Sequence, residues 1–342
     1  MSLTVFTSPR FADHLTPPGH PERVERHDVM QVVVNELRQR GGSVVEPRRA
    51  TDEEIVRVHE RDYLTLIGET AGRATSLDAD TFTSPETYEV ARLAAGAAVS
   101  AVDHVIDGDA GTRAIAVVRP PGHHAERNRA MGFCFFNNVA IAAAHARARG
   151  VSRVAVVDYD VHHGNGTQWS FYGDPFVLFV SSHQFPYYPG TGAADEVGTG
   201  AGVGFTVNLP LAAGATDADY ERVYDAIAWP ILRQFKPDLI LLSAGFDAYM
   251  DDPLGGMRVT APCFGRLTAS IVAIADECCG GRVVGVTEGG YDLKGLADCL
   301  RATLGALDRT GPVSPAPQQT PTPRADATIK AATPHLSEYW RL

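Results

Sequence analysis

Two histidine pairs, each of which follows an apolar stretch of the chain, are the residues best suited to metal binding or acid–base catalysis. His123 and His124 come after the run at 114–118, and the pair at 162–163 comes after the run at 154–157. Both runs are rich in alanine and β-branched residues, which predicts strands buried on both faces of a parallel sheet. The carboxyl end of such strands is where an open α/β sheet holds its ligand. Because burying imidazole and carboxylate groups there is costly unless they bind something charged, the pattern indicates a metal ion with acid–base partners.

The second histidine segment offers two candidate metal ligands, and a metal site needs a third from elsewhere in the chain. Asp160 and His162 are two positions apart, so their side chains point to the same side at a strand end. Carboxylate and imidazole groups both bind zinc, at about 2.0–2.2 Å, and a catalytic zinc needs three protein ligands and one open position. Asp247 follows the apolar run at 239–242 and is the best candidate for the third ligand. A helix cap or an ion pair is the alternative role for Asp160, and the neighbouring histidines favour the metal.

The first histidine pair is suited to proton transfer. The turn Pro120-Pro121-Gly122 directs both imidazoles into the same cleft. Since imidazole titrates near neutrality, one ring can take a proton from water and return it to a leaving amine. Asp158 and Asn165 flank the proposed ligands and can each accept a hydrogen bond from the far nitrogen of one ring.

A tyrosine completes this set of reactive side chains. Tyr291 follows the apolar run at 283–286 and the glycines of Glu288-Gly289-Gly290. Glycine permits a sharp backbone turn, and a phenol placed there can donate a hydrogen bond to a developing oxyanion.

Composition limits the possible partners. The 342-residue chain has a formal net charge of −11, from 41 acidic and 30 basic residues, and it lacks a basic stripe, so we expect no nucleic-acid partner. A negative field would attract basic peptides or polyamines. The five cysteines lack the spacing of a disulfide scaffold and are expected to be reduced. Without a signal-peptide core or an apolar run of about 20 residues, the protein is expected to be cytoplasmic with no membrane association.

The elements that must position these residues alternate along the chain. Strand-like runs, the last at 283–286, alternate with predicted helices at about 84–106, 138–149, 217–235 and 260–280. This alternation predicts an α/β fold with a predominantly parallel sheet and helices on both faces. Residues 1–310 show no break in composition and are predicted to form one domain. Residues 311–342 are predicted to form a Pro/Thr-rich C-terminal tail, extended to about residue 323, with Tyr339 and Trp340 docking on the body or on a neighbouring subunit.

Eight segments of the chain resemble, in order, the zinc-dependent histone deacetylase superfamily of the arginase/deacetylase fold. The asparagine at 165 is typical of its class II-like members, such as the bacterial histone deacetylase-like amidohydrolases. The segments span residues 19–23, 119–124, 132–134, 137–138, 158–168, 245–247, 252–255 and 288–291. The resemblance implies a single domain with about eight strands. It also implies hydrolysis of an acetyl or short acyl amide on acyl-lysine or a similar linear amine, with release of acetate.

The resemblance also implies roles for individual residues. One catalytic zinc ion would be bound by Asp160, His162 and Asp247. His124 would be the general base and acid, and His123 its electrostatic partner. Asp158 would orient His123, Asn165 would face His124, and Tyr291 would polarise the acyl carbonyl. The predicted catalytic residues are therefore His123, His124, Asp158, Asn165 and Tyr291.

A narrow tunnel for the substrate stem is a further implication. Gly132, Phe133 and Tyr188 would line it, with Tyr187 as the alternative to Tyr188. Leu254 would lie at the rim, and Asp80 would hold the substrate backbone.

Three expectations of the resemblance lie outside the tunnel. A structural potassium ion is typical of the family and would lie near Asp158, Asp160, His162, Ser181 and Ser182. Arg23 would lie at the inner end of the cleft. Related bacterial proteins form dimers or tetramers, so a homo-oligomer is an expectation here as well.

Three other functions compete with this interpretation. An acetylpolyamine amidohydrolase would have an acidic residue at the tunnel mouth; the rim residue here is Leu254, although Asp251 and Asp252 are nearby. An arginase-like ureohydrolase would need ligands for a second metal, and no such set is visible in the sequence. A catalytically inactive acyl-lysine reader would be expected to have lost Tyr291, a metal ligand or the histidine pair, and all of these are present.

Overall fold

A single parallel sheet of eight strands forms the centre of the molecule. In the computed structural model, which describes residues 3–310 and 321–342, the strands lie in the order β2-β1-β3-β8-β7-β4-β5-β6. Every neighbouring pair is parallel. The strands are β1 (Leu3–Phe6), β2 (Ser43–Val45), β3 (Arg113–Ala116), β4 (Val154–Asp158), β5 (Val177–Gln184), β6 (Thr206–Leu211), β7 (Leu239–Ala244) and β8 (Val283–Thr287). The predicted fold class is confirmed.

Helices cover both faces of this sheet. They are α1 (Glu25–Gln39), α2 (Asp52–Ile55), α3 (Arg61–Gly68), α4 (Thr87–Asp107), α5 (Asn138–Ala148), α6 (Asn165–Phe171), α7 (Asp217–Val223), α8 (Trp229–Phe235), α9 (Ala261–Cys279), α10 (Leu293–Asp308) and α11 (Pro323–Leu336). Strand β4 shows the two-sided packing: Val154 and Val156 enter one hydrophobic core, and Ala155 and Val157 enter the other. Successive side chains of a strand point to opposite faces, so a continuous apolar run is what a doubly covered strand requires.

The strand order brings four reactive segments together. Strands β3, β8, β7 and β4 are neighbours at the middle of the sheet. Because all four run in the same direction, the segments that follow them emerge at one edge. These segments carry the histidine pair, Tyr291, Asp247 and the Asp160–His162 pair, respectively.

One predicted helix is interrupted. The predicted helix at 217–235 is formed by α7, a π-helical turn at Tyr224–Ala228 and α8. Pro230 lies in the first turn of α8. Proline lacks the N–H group that a helix interior requires but is tolerated in a first turn, and π-helical turns arise where a helix must adjust its hydrogen bonding.

The C-terminal segment contains a helix that the sequence did not predict. Residues 311–320 of the predicted tail lie outside the described residues. Helix α11 follows, and its Ala325, Ala332 and Leu336 are buried in a core that α9 and α10 share. The indole of Trp340 donates a hydrogen bond of 2.7 Å to the carbonyl oxygen of Gly204. Residues 323–340 therefore pack against the sheet and its helices. The described helices include none with the length and apolar character needed to cross a membrane.

Candidate active site

The three predicted metal ligands lie together at the carboxyl edge of the sheet. Asp160, His162 and Asp247 are buried, and each offers one ligand atom within 4.8 Å of the others. His162 Nδ1 lies 3.2 Å from Asp160 Oδ1 and 3.1 Å from Asp247 Oδ2. Two carboxylates and one imidazole from β4 and β7 therefore face a common point.

Backbone amides fix the orientation of both carboxylates. The Val161 N–H donates to Asp247 Oδ1 at 2.8 Å, and the His162 N–H donates to Asp160 Oδ1 at 2.9 Å. The Gly289 N–H donates to Asp160 Oδ2 at 2.9 Å. A Cβ atom at Gly289 would collide with the Asp247 carboxylate, which explains why position 289 is a glycine.

The charges at this point fit a divalent cation. Burial, together with the negative charge of Asp160, raises the pKa of Asp247 to about 7. Burial opposes a charge on His162, yet the facing carboxylates raise the pKa of His162 well above its usual value. Both pKa shifts indicate that a positive charge between the two carboxylates would be stabilised. A divalent cation bound by the three side chains would supply this charge, and the donor set is one that zinc accepts.

The histidine pair has two different partners. His123 Nδ1 lies 3.0 Å from Asp158 Oδ2, and His124 Nδ1 lies 2.8 Å from Asn165 Oδ1. Burial disfavours a charge on both rings. For His123 the carboxylates of Asp160 and Asp158 outweigh burial and raise the pKa to about 10. For His124 burial and the neighbouring charges of His123 and His162 hold the pKa well below its usual value. The pKa values of the two rings are thus shifted in opposite directions, and the ring centroids lie 4.1 Å apart.

A buried glutamate that the sequence did not single out holds the backbone of the histidine turn. Glu288 Oε2 accepts hydrogen bonds from the Gly122 N–H at 2.6 Å and the His123 N–H at 3.1 Å. Glu288 Oε1 accepts from the Ser243 hydroxyl at 3.1 Å. This carboxylate thus ties the histidine turn after β3 to β7 and β8. Its position directly before the two glycines was the only sequence signal for it.

The arginine that contacts Tyr291 is Arg26, and the expectation for Arg23 was wrong. Arg23, expected at the inner end of the cleft, is exposed. Arg26, one helical turn further along, is buried and places its guanidinium 4.8 Å from the Tyr291 ring centroid. It also donates to the carbonyl oxygens of Gly290 at 2.7 Å and Glu288 at 2.6 Å. Position 23 lies before α1, whereas position 26 lies on the buried face of that helix.

A cavity of about 190 Å³ leads from the surface to these groups. It contains all five predicted substrate-binding residues, and its lining consists of Asp80, His124, Gly132, Phe133, His162, Tyr187, Tyr188, Leu254 and Tyr291. Tyr187 and Tyr188 were alternatives for one wall, and both line it. The Tyr187 ring stacks on His162 at 5.6 Å, whereas the Tyr188 ring meets His124 edge-on at 5.2 Å.

The opposite wall depends on an unusual backbone. Phe133 has a φ of 68°, in the left-handed region, and follows Gly132 at 57°. The Phe133 N–H donates to the Thr81 hydroxyl at 3.2 Å, and the Phe133 ring meets that of Tyr291 edge-on at 5.7 Å. A non-glycine residue in this region is held by its surroundings, which is common at ligand sites.

Comparisons with known proteins agree with this geometry. The family model described as the histone deacetylase domain matches residues 20–307. The chain belongs to the histone deacetylase family. Members of this family are zinc-dependent hydrolases that act on amide bonds, and the enzyme class predicted from the sequence is confirmed.

Individual relatives support the same assignment. The chain is 39% identical to a probable deacetylase of Archaeoglobus fulgidus, over 83% of this chain and 80% of the relative. It is 41% identical to the human polyamine deacetylase HDAC10 over 93% of this chain, which spans half of the human protein. The crystal structure of the HD domain of HDA15 superimposes with a TM-score of 0.91 at 34% identity, covering 99% of this chain and 95% of that domain.

The potassium site predicted for this chain remains a prediction. Asp158, the last residue of β4, pairs with Ser181 of β5, and Ser182 is the next residue of that strand. Asp160 and His162 follow the end of β4. The Ser181 hydroxyl lies 3.0 Å from His183 Nδ1, and the Ser182 hydroxyl lies 2.8 Å from that of Tyr224.

Within residues 3–310 and 321–342, Asp160, His162 and Asp247 form the one group of histidine, cysteine and acidic ligands with metal-binding geometry. These three residues are a ligand set for one metal ion, whereas a two-manganese ureohydrolase would need further ligands.

Proposed function

We propose that this chain is a zinc-dependent deacetylase that removes acetyl or other short acyl groups from acyl-lysine or a similar linear amine. One observation carries the proposal: His124, Tyr291 and the metal-ligand candidate His162 line the same narrow cavity. A proton-transfer group, a hydrogen-bond donor and a cation site would thus face an amide bound in this cavity.

Asp160, His162 and Asp247 would hold the zinc ion. When bound, zinc supplies a Lewis acid that polarises the acyl carbonyl and makes water more acidic. A structural potassium ion near Asp158, Ser181 and Ser182 is part of the same proposal.

The side chains around the cavity perform the remaining steps. His124 Nδ1 bonds to Asn165 Oδ1, which leaves its Nε2 lone pair free to take a proton from the attacking water. The same ring then returns the proton to the leaving nitrogen. His123, bonded to Asp158, contributes positive charge beside the reacting groups. The Tyr291 hydroxyl donates a hydrogen bond to the carbonyl oxygen as it becomes negative.

The cavity favours an unbranched substrate stem. The rings of Phe133, Tyr187 and Tyr188 form its walls, and Leu254 lies at the rim. Aromatic walls bury the methylenes of a lysine side chain, which contributes about 0.8 kcal/mol for each CH₂ group. Asp80 is held at this cavity by its bond to the Thr81 hydroxyl and has a carboxylate available for the backbone of an acyl-lysine peptide.

Deacetylation of acetylpolyamines is the second candidate. The likeness to human polyamine deacetylase HDAC10 and the net charge of −11 support it. Two observations disfavour it. The rim residue Leu254 is apolar, and Asp252, one of the two nearby acids, is buried with its oxygens bonded to backbone amides. The other acid, Asp251, is exposed and is not part of the described cavity lining.

A paired assay separates the two candidates. Zinc-reconstituted protein is incubated with an acetyl-lysine peptide and with acetylputrescine, and the released acetate is quantified. We expect a higher kcat/KM for the peptide. Equal or faster turnover of acetylputrescine would favour the polyamine function, and no turnover of any acyl amine by zinc-loaded protein would contradict both.

A further inference from the structure

A buried aspartate outside the metal ligands joins two loops that border the cavity. Asp252 lies in the loop after β7 and is 6% exposed. Its Oδ2 accepts hydrogen bonds from the Tyr291 N–H at 2.6 Å and the Asp292 N–H at 3.1 Å. Its Oδ1 accepts from the N–H of Leu254, the rim residue, at 2.9 Å. Three backbone donors from two segments thus converge on one carboxylate.

The peptide group between Gly290 and Tyr291 is held from both sides. Its N–H donates to Asp252 at 2.6 Å, and its carbonyl oxygen accepts from Arg26 Nε at 2.7 Å. Hydrogen bonds to charged partners are stronger than neutral ones, and both partners here are buried. Gly290 has a φ of 119°, so this peptide follows a residue that could adopt many other conformations. The two charged side chains therefore select the orientation of the backbone that carries Tyr291.

The neighbouring peptide group is anchored to a helix. The second donor to Asp252, Asp292, caps α10 by accepting a hydrogen bond from the Gly295 N–H at 2.6 Å. Asp252 thus links the loop after β7 to the start of α10. Because a phenol hydroxyl lies far from its own Cα atom, a small rotation of the supporting peptide moves the hydroxyl by a much larger distance.

We propose that Asp252 is a positioning residue for the Tyr291 hydroxyl. By orienting the peptide group between Gly290 and Tyr291, Asp252 places the phenol hydroxyl where negative charge develops on the acyl oxygen. The same carboxylate also connects this peptide group to Leu254 at the cavity rim. The proposal rests on the proposed deacetylase function. Asp252 therefore affects kcat and does not bind the metal.

A double-mutant cycle tests this role. Asp252→Asn, Tyr291→Phe and the double variant are compared in the zinc-loaded full chain, with the adjacent exposed Asp251→Asn as the matched control. We expect Asp252→Asn to lower kcat by about 10- to 100-fold with little change in KM or zinc content, as displacement of a reacting group does. In the Tyr291→Phe background the same substitution should change kcat by less than about threefold, because the hydroxyl through which it acts is gone. Asp251→Asn should leave kcat at the wild-type value.

The outcomes separate this proposal from the proposed function. Multiplicative losses in the double variant, or a loss of zinc that parallels the loss of kcat in Asp252→Asn, would overturn the positioning role. If Asp252→Asn is too unstable to purify, Asp252→Ser retains one acceptor oxygen and completes the same cycle. A wild-type protein inactive on every acyl amine would refute the proposed function, whereas an active wild type with multiplicative losses would refute only the role of Asp252.

Discussion

His124→Ala is expected to lower kcat for acetyl-lysine hydrolysis by about 10²- to 10⁴-fold, the range typical of a lost general acid–base group. The ring lines the cavity, and its Nδ1 is bonded to Asn165, so its other nitrogen is the one available to the substrate. Since His124 is outside the proposed ligand set, zinc content should stay at the wild-type value. Steady-state kinetics combined with metal analysis measures both quantities.

A surface histidine provides the control for this variant. His335 is exposed on α11 and is not among the residues that line the cavity, so His335→Ala should leave kcat unchanged. If His124→Ala retained wild-type kcat with zinc bound, proton transfer would have to be assigned to another group. Loss of zinc from His124→Ala would instead show that the ring supports the metal.

Tyr291→Phe is expected to lower kcat by about 10²- to 10³-fold, as does removal of one donor from an oxyanion site. The substitution removes one hydroxyl and keeps the ring, so the contacts with Phe133 and Arg26 remain. Folding and zinc binding should therefore be preserved. Kinetics under single-turnover conditions measures the chemical step directly.

The matched control is Tyr339→Phe, because Tyr339 is 45% exposed in the C-terminal segment. It should retain wild-type kcat. A Tyr291→Phe variant with unchanged kcat would contradict the role of the hydroxyl, and a large rise in KM alone would indicate that the phenol binds substrate without assisting the reaction.

The positions of the reactive residues were predictable because each of them follows an apolar strand. Val154–Asp158 and Leu239–Ala244 are buried along their full length, which their sequences already indicate. In a parallel sheet all carboxyl ends lie at one edge, so the sequence places Asp160, His162 and Asp247 at that edge. The pairing of β4 with β7 in the observed strand order then brings the three side chains together. The individual roles came from the resemblance to the family, since strand ends alone do not distinguish a base from its partner.

The supporting contacts were not predictable in the same way. Arg26 bonds to the carbonyl of Gly290, 264 positions away, and Asp252 bonds to an amide 39 positions away. Such pairs depend on how loops pack above the sheet, and neither hydrophobic periodicity nor residue spacing carries that information. Helix α11 was missed for a related reason: it is stabilised by burial of Ala325, Ala332 and Leu336 against the body, while the proline-rich stretch before it favoured an extended segment.

The most direct test of the account is diffraction from zinc-loaded crystals, with anomalous data collected on both sides of the zinc absorption edge. We expect one strong anomalous peak bonded to Asp160, His162 and Asp247, and no such peak in Asp247→Asn crystals treated identically. A zinc ion elsewhere, two ions at the site, or full zinc occupancy in Asp247→Asn would contradict the assignment of these three residues as the metal ligands.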